Sequence, residues 1–295
     1  MTSPLRNLPR MKGLSAIRQH PLATAGAAWI ALWTLIALLG PWVRPDGSRY
    51  ANDQQLEHAL LEPGSTSVRA DGTHMTHWLG TDRYGRDYLS RLMAGSGISL
   101  GVGAVAVLIS LLIGIALGAW AGYRGGWVDA VLSGFIQVVW TLPTLLMVLA
   151  ITLAFGKGFW QVFVAIGLTM WVDVARVVRG QFISLREQDF VEAARALGIP
   201  EGRILFRHML PNAAGPLIVV AAANFAAAIL IEAGLSFLGV GAQIPMPSWG
   251  NLVQEHYALI TGRHAWLALA PGALIVSVVL SFTWIGDALR SAVSN

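Results

Sequence analysis

The sequence predicts an all-α polytopic membrane protein with six transmembrane helices. Composition is the first reason. Of 295 residues, 55% are hydrophobic and 12% charged, about half the charged share of a soluble domain, and the mean hydropathy is +0.59. A soluble core of this size could not bury so much apolar surface. Patterning is the second reason. Five stretches free of Asp, Glu, Lys, Arg and His reach the roughly 20 residues that a helix needs to cross hydrocarbon. Cysteine is absent, which excludes disulfides, zinc–thiolate sites, iron–sulfur clusters and thiol nucleophiles.

The five stretches are Pro21–Val43, Leu92–Tyr123, Ala130–Gly156, Met209–Ile231 and Ala265–Gly286. A sixth, Gly158–Val172, is shorter, and Val174, Ala175, Val177 and Val178 prolong its apolar character while Arg176 snorkels. Ala233–Gln254 is uncharged too, but Gly234, Gly239, Gly241, Pro245, Pro247 and Gly250 mark it as an ordered loop outside the membrane. The first stretch is too long for a cleaved signal peptide, and Pro41 and Trp42 stand where small residues would be needed. Residues 1–20 then form a terminal segment, 21–43 the first span and 44–91 a long outer loop. Residues 92–290 form a five-span core with an inner loop at 173–208, and 291–295 a tail.

Six spans put both termini on one side. Twelve of the 20 Lys and Arg fall on that side with seven acidic residues, against eight and nine on the other, which makes the termini cytoplasmic. Gly114, Gly118 and Gly122 recur every four residues and line one helix face with bare backbone for close packing. Pro143 and Pro216 each remove a helical hydrogen bond and predict kinks.

Chemistry-bearing motifs are missing. The only Gly-Lys pair, Gly156-Lys157, is followed by Gly158, so there is no phosphate-binding P-loop. Leu238 stands where the nucleophile elbow around Ser236 needs its second glycine. His74 and His77 lack a third clustered ligand and read as solvated loop residues. No metal site, no nucleic-acid footprint and no cofactor bound by this chain are expected. Asp173, Arg176 and Glu232 are the ionisable residues nearest the membrane, placed at span ends.

The inner loop 173–208 stands out, because it holds half of the basic residues on its side. Asp189 predicts an N-cap, with Glu192 three residues later as in a capping box, and Gly198 and Pro200 stop the helix. Val191, Ala194 and Leu197 share one face and suit docking onto another protein's groove. A helix lying on the membrane surface is the alternative.

Glu192-Ala193-Ala194-x-x-x-Gly198, followed by Leu210-Pro211, resembles the EAA signature of the membrane subunits of ABC importers. In place of that pattern's Ile, His208 stands two residues before the Leu-Pro, and Arg207-His208-Met209-Leu210-Pro211-Asn212 is similar to the peptide-importer branch. His77-Trp78-Leu79-Gly80-Thr81-Asp82 with Gly85-Arg86-Asp87 and Ser90-Arg91, Val178-Arg179-Gly180-Gln181, Ala233–Gly239 and Pro247-Ser248-Trp249-Gly250 resemble the C-type permease of dipeptide, oligopeptide and nickel importers. The outer loop between Arg44 and His77 looks longer than usual. The resemblance implies a type I permease fold in a bacterial inner membrane. It implies that Glu192, Ala193, Ala194, Leu197, Gly198 and Pro211 belong to a coupling helix engaged by the ATPase. Its implied partners are a second homologous permease, two ATPase subunits that carry ATP and Mg, and an extracytoplasmic substrate-binding protein. Peptides are the expected cargo, with nickel or another small chelate as the alternative. A membrane scaffold is the rival from another class. An intramembrane enzyme would need paired catalytic groups within the spans, where none are seen.

Overall fold

The computed structural model describes residues 17–69, 72–156, 158–241 and 245–294, so most of the terminal segment 1–20 lies outside the described residues. Helix α1 (Pro21–Val43) coincides with the first apolar stretch. The outer loop that follows carries two 3-10 turns and an antiparallel hairpin of β1 (Ser65–Val68) and β2 (His74–His77), with Ser65 opposite His77. Then come α2 (Tyr88–Arg124), α3 (Gly126–Trp140), α4 (Thr144–Phe155), α5 (Phe159–Arg186) and the short α6 (Asp189–Ala196). A helical ramp through Glu201–Arg203, a π-helical turn at Ile204–Met209 and Leu210–Asn212 leads into α7 (Ala214–Phe237). The described chain closes with α8 (Trp249–His256) and α9 (Trp266–Ser294).

Five helices, α1, α2, α5, α7 and α9, are long and apolar enough to cross a membrane, and the pair α3 and α4 makes a sixth if the two are one broken span. That pair departs from the straight span expected over Ala130–Gly156, because it bends by 90°. Pro143 supplies the cause: it has no N–H to donate, and with ψ 120° it is itself outside the helical region, as N-cap of α4. Pro216 does not break its helix, since it lies in the first turn of α7, where backbone N–H groups have no intrahelical partner anyway.

Three further boundaries differ from hydropathy. The helix of the sixth span continues to Arg186, so residues 173–186, read as the start of the inner loop, are helical. Stretch 233–254 is not all loop: its first residues complete α7, and Trp249–His256 form α8. The stretch beginning at Met209 enters α7 only at Ala214, after the π-turn. Hydropathy reports charge, and a helix does not stop where charge begins.

Helices α2 and α5 form the central pair. A Cβ added at Gly114 would lie 2.5 Å from the Val174 Cβ, at Gly118 2.5 Å from the Ala175 carbonyl oxygen and at Gly122 2.6 Å from the Arg179 carbonyl oxygen. The glycine row of α2 is therefore pressed against the backbone of α5. Around this pair lie four apolar clusters among the described residues, of which the smallest joins Ile136 of α3 to Trp171, Val172 and Ala175 of α5. One gathers Trp33, Tyr88, Leu92, Trp249 and Leu252 at the hairpin end, a second Val102, Ile166 and Ala228 at mid-height, and a third Tyr123, Phe182, Val191 and Met209 at the end of residues 187–212. Leu38, Leu112, Leu146 and Val276 point outward and are exposed, the surface that a lipid-facing bundle presents.

Gly118→Leu should lower the thermal unfolding midpoint in detergent, at an overpacking cost of about 1–3 kcal/mol or more. Gly101→Ala on the same helix, where an added Cβ meets nothing within 4 Å, should leave the midpoint unchanged in the same melt.

Candidate functional site

The residues singled out by the sequence converge at one end of the bundle. Helix α6 starts after Gln188, whose carbonyl accepts from the Val191 N–H at 2.9 Å and the Glu192 N–H at 3.3 Å. Gln188, not Asp189, is thus the N-cap, and no side-chain cap bond is made. Asp189 and Glu192 lie in the first turn, where their charge complements the helix dipole. At the other end Gly198 has φ +70°. The Gly198 N–H donates to the Arg195 carbonyl at 2.9 Å and the Ile199 N–H to the Ala194 carbonyl at 3.1 Å, a Schellman stop that needs a left-handed residue. Pro200 follows as N-cap of the next helical turn.

The helix faces are rotated from the expected arrangement. Val191 and Ala194 are buried against Tyr123, Val178, Phe182, Ile204 and Met209 of this same chain. Leu197, expected beside them, is 79% exposed, because six residues at 3.6 per turn carry it about 120° round the helix from Val191. The open surface consists of Phe190, Glu192, Ala193 and Leu197, with Phe206 beyond them. Arg195 reaches back over the Tyr123 ring, 5.1 Å from its centroid, and Arg124 pairs with Glu201 at 3.0 Å. Pro211 follows the π-turn: the Leu210 N–H donates to Leu205, five residues back, and the Asn212 side-chain amide donates to the His208 carbonyl at 2.6 Å. The wide turn accommodates a proline that cannot donate within the helix. All six singled-out residues, Glu192, Ala193, Ala194, Leu197, Gly198 and Pro211, therefore lie on one helix and the ramp behind it.

A second polar assembly, at the hairpin end, was not legible in the sequence. Arg86 and Arg91 are each 1% exposed. Arg86 Nε donates to Asp82 at 2.6 Å, its Nη2 to Glu255 at 2.8 Å and its Nη1 to Asn52 at 3.1 Å, while Arg91 Nη2 reaches Glu255 at 3.3 Å. Two cations meet two anions, and the outer loop is clasped to α8. Asp82, Glu255 and His256 also bring ligand-type atoms within 4.8 Å of one another, but both carboxylates already accept from guanidinium groups, so the chemistry is that of an ion-pair clasp. His256 donates through Nδ1 to the Leu252 carbonyl at 2.9 Å, and burial pushes its imidazolium below the ordinary histidine range. His77, read as solvated, is instead 3% exposed and lies 2.9 Å from both Ser67 and Asp87, the residue that caps α2 by accepting from the Ser90 N–H. Strand pairing buries it, and a loop reading cannot see that.

Glu232, placed at a span end by hydropathy, lies inside α7 and is 1% exposed. It accepts from Ser236 Oγ at 2.6 Å and from Ser99 Oγ at 3.5 Å, while Ser99 also accepts from the Trp249 N–H at 3.1 Å. Trp249 is wholly buried and donates to the Leu92 carbonyl at 3.1 Å.

Five long helices with a broken sixth, and a capped amphipathic helix docked on their end, define an ABC-importer permease of type I fold. An inward-facing structure of the MetNI methionine ABC transporter superposes on 70% of this chain and 96% of that chain with a TM-score of 0.56 at 18% identity, a likeness of fold. The chain belongs to the binding-protein-dependent transport system inner membrane components, matched over residues 114–295. It is 38% identical over 284 residues to a dipeptide transport system permease protein of Alkalihalophilus pseudofirmus, covering 96% of this chain and 89% of the relative. It is 34% identical to an oligopeptide transport system permease protein of Bacillus subtilis, covering 93% and 86%.

Glu255→Ala would leave two guanidinium groups buried without their shared carboxylate, at a cost of about 3–5 kcal/mol. A clear drop in the unfolding midpoint is expected, whereas Arg263→Ala, at an exposed pair with Glu62, should leave it within error.

Proposed function

We propose that this chain is one of two permease subunits of a bacterial ABC importer for short peptides, and that α6 is its coupling helix. The observation that carries the coupling assignment is the outward face of α6. Its buried side fixes the helix to the ends of α2 and α5, and its other side presents Phe190, Ala193 and Leu197, which are exposed among the described residues. A helix with one anchored face and one open apolar face suits insertion into a groove of a partner. The partners in this reading are a second permease of similar fold, two ATPase subunits that hold and hydrolyse ATP with Mg, and an extracytoplasmic binding protein that delivers the peptide. The chain itself does no catalysis. ATP-driven closure of the ATPases pushes on residues 189–198, and the two permeases alternate between outward and inward openings. The chain's likeness to dipeptide and oligopeptide transport system permeases supports peptides as cargo. The charge asymmetry supports an inner-membrane orientation with the 187–212 end and both termini cytoplasmic.

Gly198→Leu tests the coupling assignment. A side chain at φ +70° costs about 1 kcal/mol, but an added Cβ meets nothing within 4 Å in this chain, so the permease should fold and insert. Uptake in reconstituted vesicles should be lost, together with substrate stimulation of ATP hydrolysis. Transport at the wild-type rate with normal stimulation would remove α6 from the coupling role.

Orientation is checked with single cysteines, since the chain has none of its own. An impermeant reagent should label exposed Thr66→Cys in intact cells, and exposed Ser184→Cys only after permeabilisation. The reverse pattern would invert the topology.

A further inference from the structure

Helix α5 is the most buried of the spanning helices, yet along its second half Asp173, Arg176, Gly180 and Ser184 are exposed. Their spacing puts them on one face. Asp173 lies at the middle of the 28-residue helix, about 20 Å from either end. A charge there is costly against lipid, so this face meets water or protein in the working complex.

The charges of this region differ in how they are neutralised. Arg179 is held in a two-pronged pair with Asp129, at 2.5 and 2.7 Å. The Arg176 guanidinium stacks 4.0 Å over the Trp140 ring. Asp173 makes no hydrogen bond and no ion pair among the described residues. Its carboxylate opens into a cleft of about 220 Å³ bordered by Trp140, Thr144, Thr169 and Asn224, where the α3–α4 break meets α5 and α7. Asn224 is fixed there by donating to the Met170 carbonyl at 3.3 Å. Further clefts lined by Arg176 and Arg179 continue it toward the 187–212 end.

We propose that this cleft is part of the wall of the translocation pathway, with Asp173 receiving the ammonium group of the peptide and Arg176, one helical turn away, its carboxylate. The assignment rests on the peptide-importer reading for the identity of the cargo. Its physical basis is separate: an uncompensated carboxylate at mid-span beside a guanidinium held by stacking alone offers both charges that a zwitterion needs. Neither charge has to break an ion pair within this chain to bind. The broken span forms one side of the cleft, through Val139, Trp140, Leu142 and Thr144.

The test uses the full importer in vesicles. With no native cysteine, Asp173→Cys is a single target in this chain, to be followed in a complex whose other subunits have been freed of reactive thiols. A water-soluble thiosulfonate should modify it, and a transported dipeptide should slow the modification several-fold. Asp173→Asn should lower dipeptide uptake about tenfold or more, the loss of one charge-assisted hydrogen bond, with the complex still assembled, and Asp173→Glu should restore most of it. A thiol that never reacts, or an Asp173→Asn importer that transports normally, would overturn the proposal. So would dissociation of the two permeases in Asp173→Asn, which would place the carboxylate at their interface. If the wild-type importer moves no peptide but another solute, the peptide reading fails, and protection of Asp173→Cys by that solute still decides whether the cleft is the pathway.

Discussion

Everything in this bundle hangs on the contact between the glycine row of α2 and the backbone of α5. With Cβ atoms absent at Gly114, Gly118 and Gly122, the two helices approach until side chains and carbonyl groups of α5 fill the space where side chains would stand. In a bilayer there is little hydrophobic gain from bringing two helices together, so dispersion at short range has to do it. That seam fixes the rotation of α5. Once rotated, α5 turns Val174, Ala175 and Val178 inward, and along its second half it presents the Asp173–Arg176 face outward. The polar row and the glycine seam are two consequences of one packing decision.

The same seam positions both ends. At one end α2 begins beneath Asp87, and Tyr88, Arg91 and Leu92 carry it into the ion-pair clasp and the Trp249 pocket. At the other end Tyr123 of α2 and Phe182 of α5 form the floor on which Val191 and Ala194 rest. The outer loop and α6 touch the ends of the same rigid pair without touching each other.

The membrane class and the existence of each long helix were legible because hydropathy over about 20 residues is a strong signal. The stop at Gly198 was legible because one residue type dominates left-handed helix ends. Where the reading failed, the missing information was three-dimensional. Asp173 looked like a loop residue because charge was taken to end the span, whereas the helix runs on to Arg186. Leu197 looked like a partner of Val191 because steps of three were read as one face, but each such step drifts by about 60°, and two of them carry Leu197 off the buried side. His77 and the Arg86–Glu255 clasp depend on contacts between distant segments, 169 residues apart for Arg86 and Glu255, and no local pattern encodes those. Pro143 announced a disturbance, and only the structure gave its size of 90°.

The arrangement also constrains how force could cross the molecule. Coupling between distant sites requires an element with two arrangements that both sites bias. The α2–α5 pair is a poor candidate for the moving part, since its backbone contact leaves no slack. The α3–α4 break is a better one. It is a bend at a proline, packed on α5 through the apolar clusters that hold Ile136 with Trp171 and Val148 with Ile166, together with the Arg179–Asp129 pair and the Arg176–Trp140 stack, and without a glycine row at the contact. In the proposed coupling, a push on α6 would reach α2 and α5 together through the Tyr123–Phe182 floor, and motion relative to them would fall on α3 and α4. Those are the segments that border Asp173, and a shift of Trp140 would uncover Arg176 in the same movement that widened the cleft.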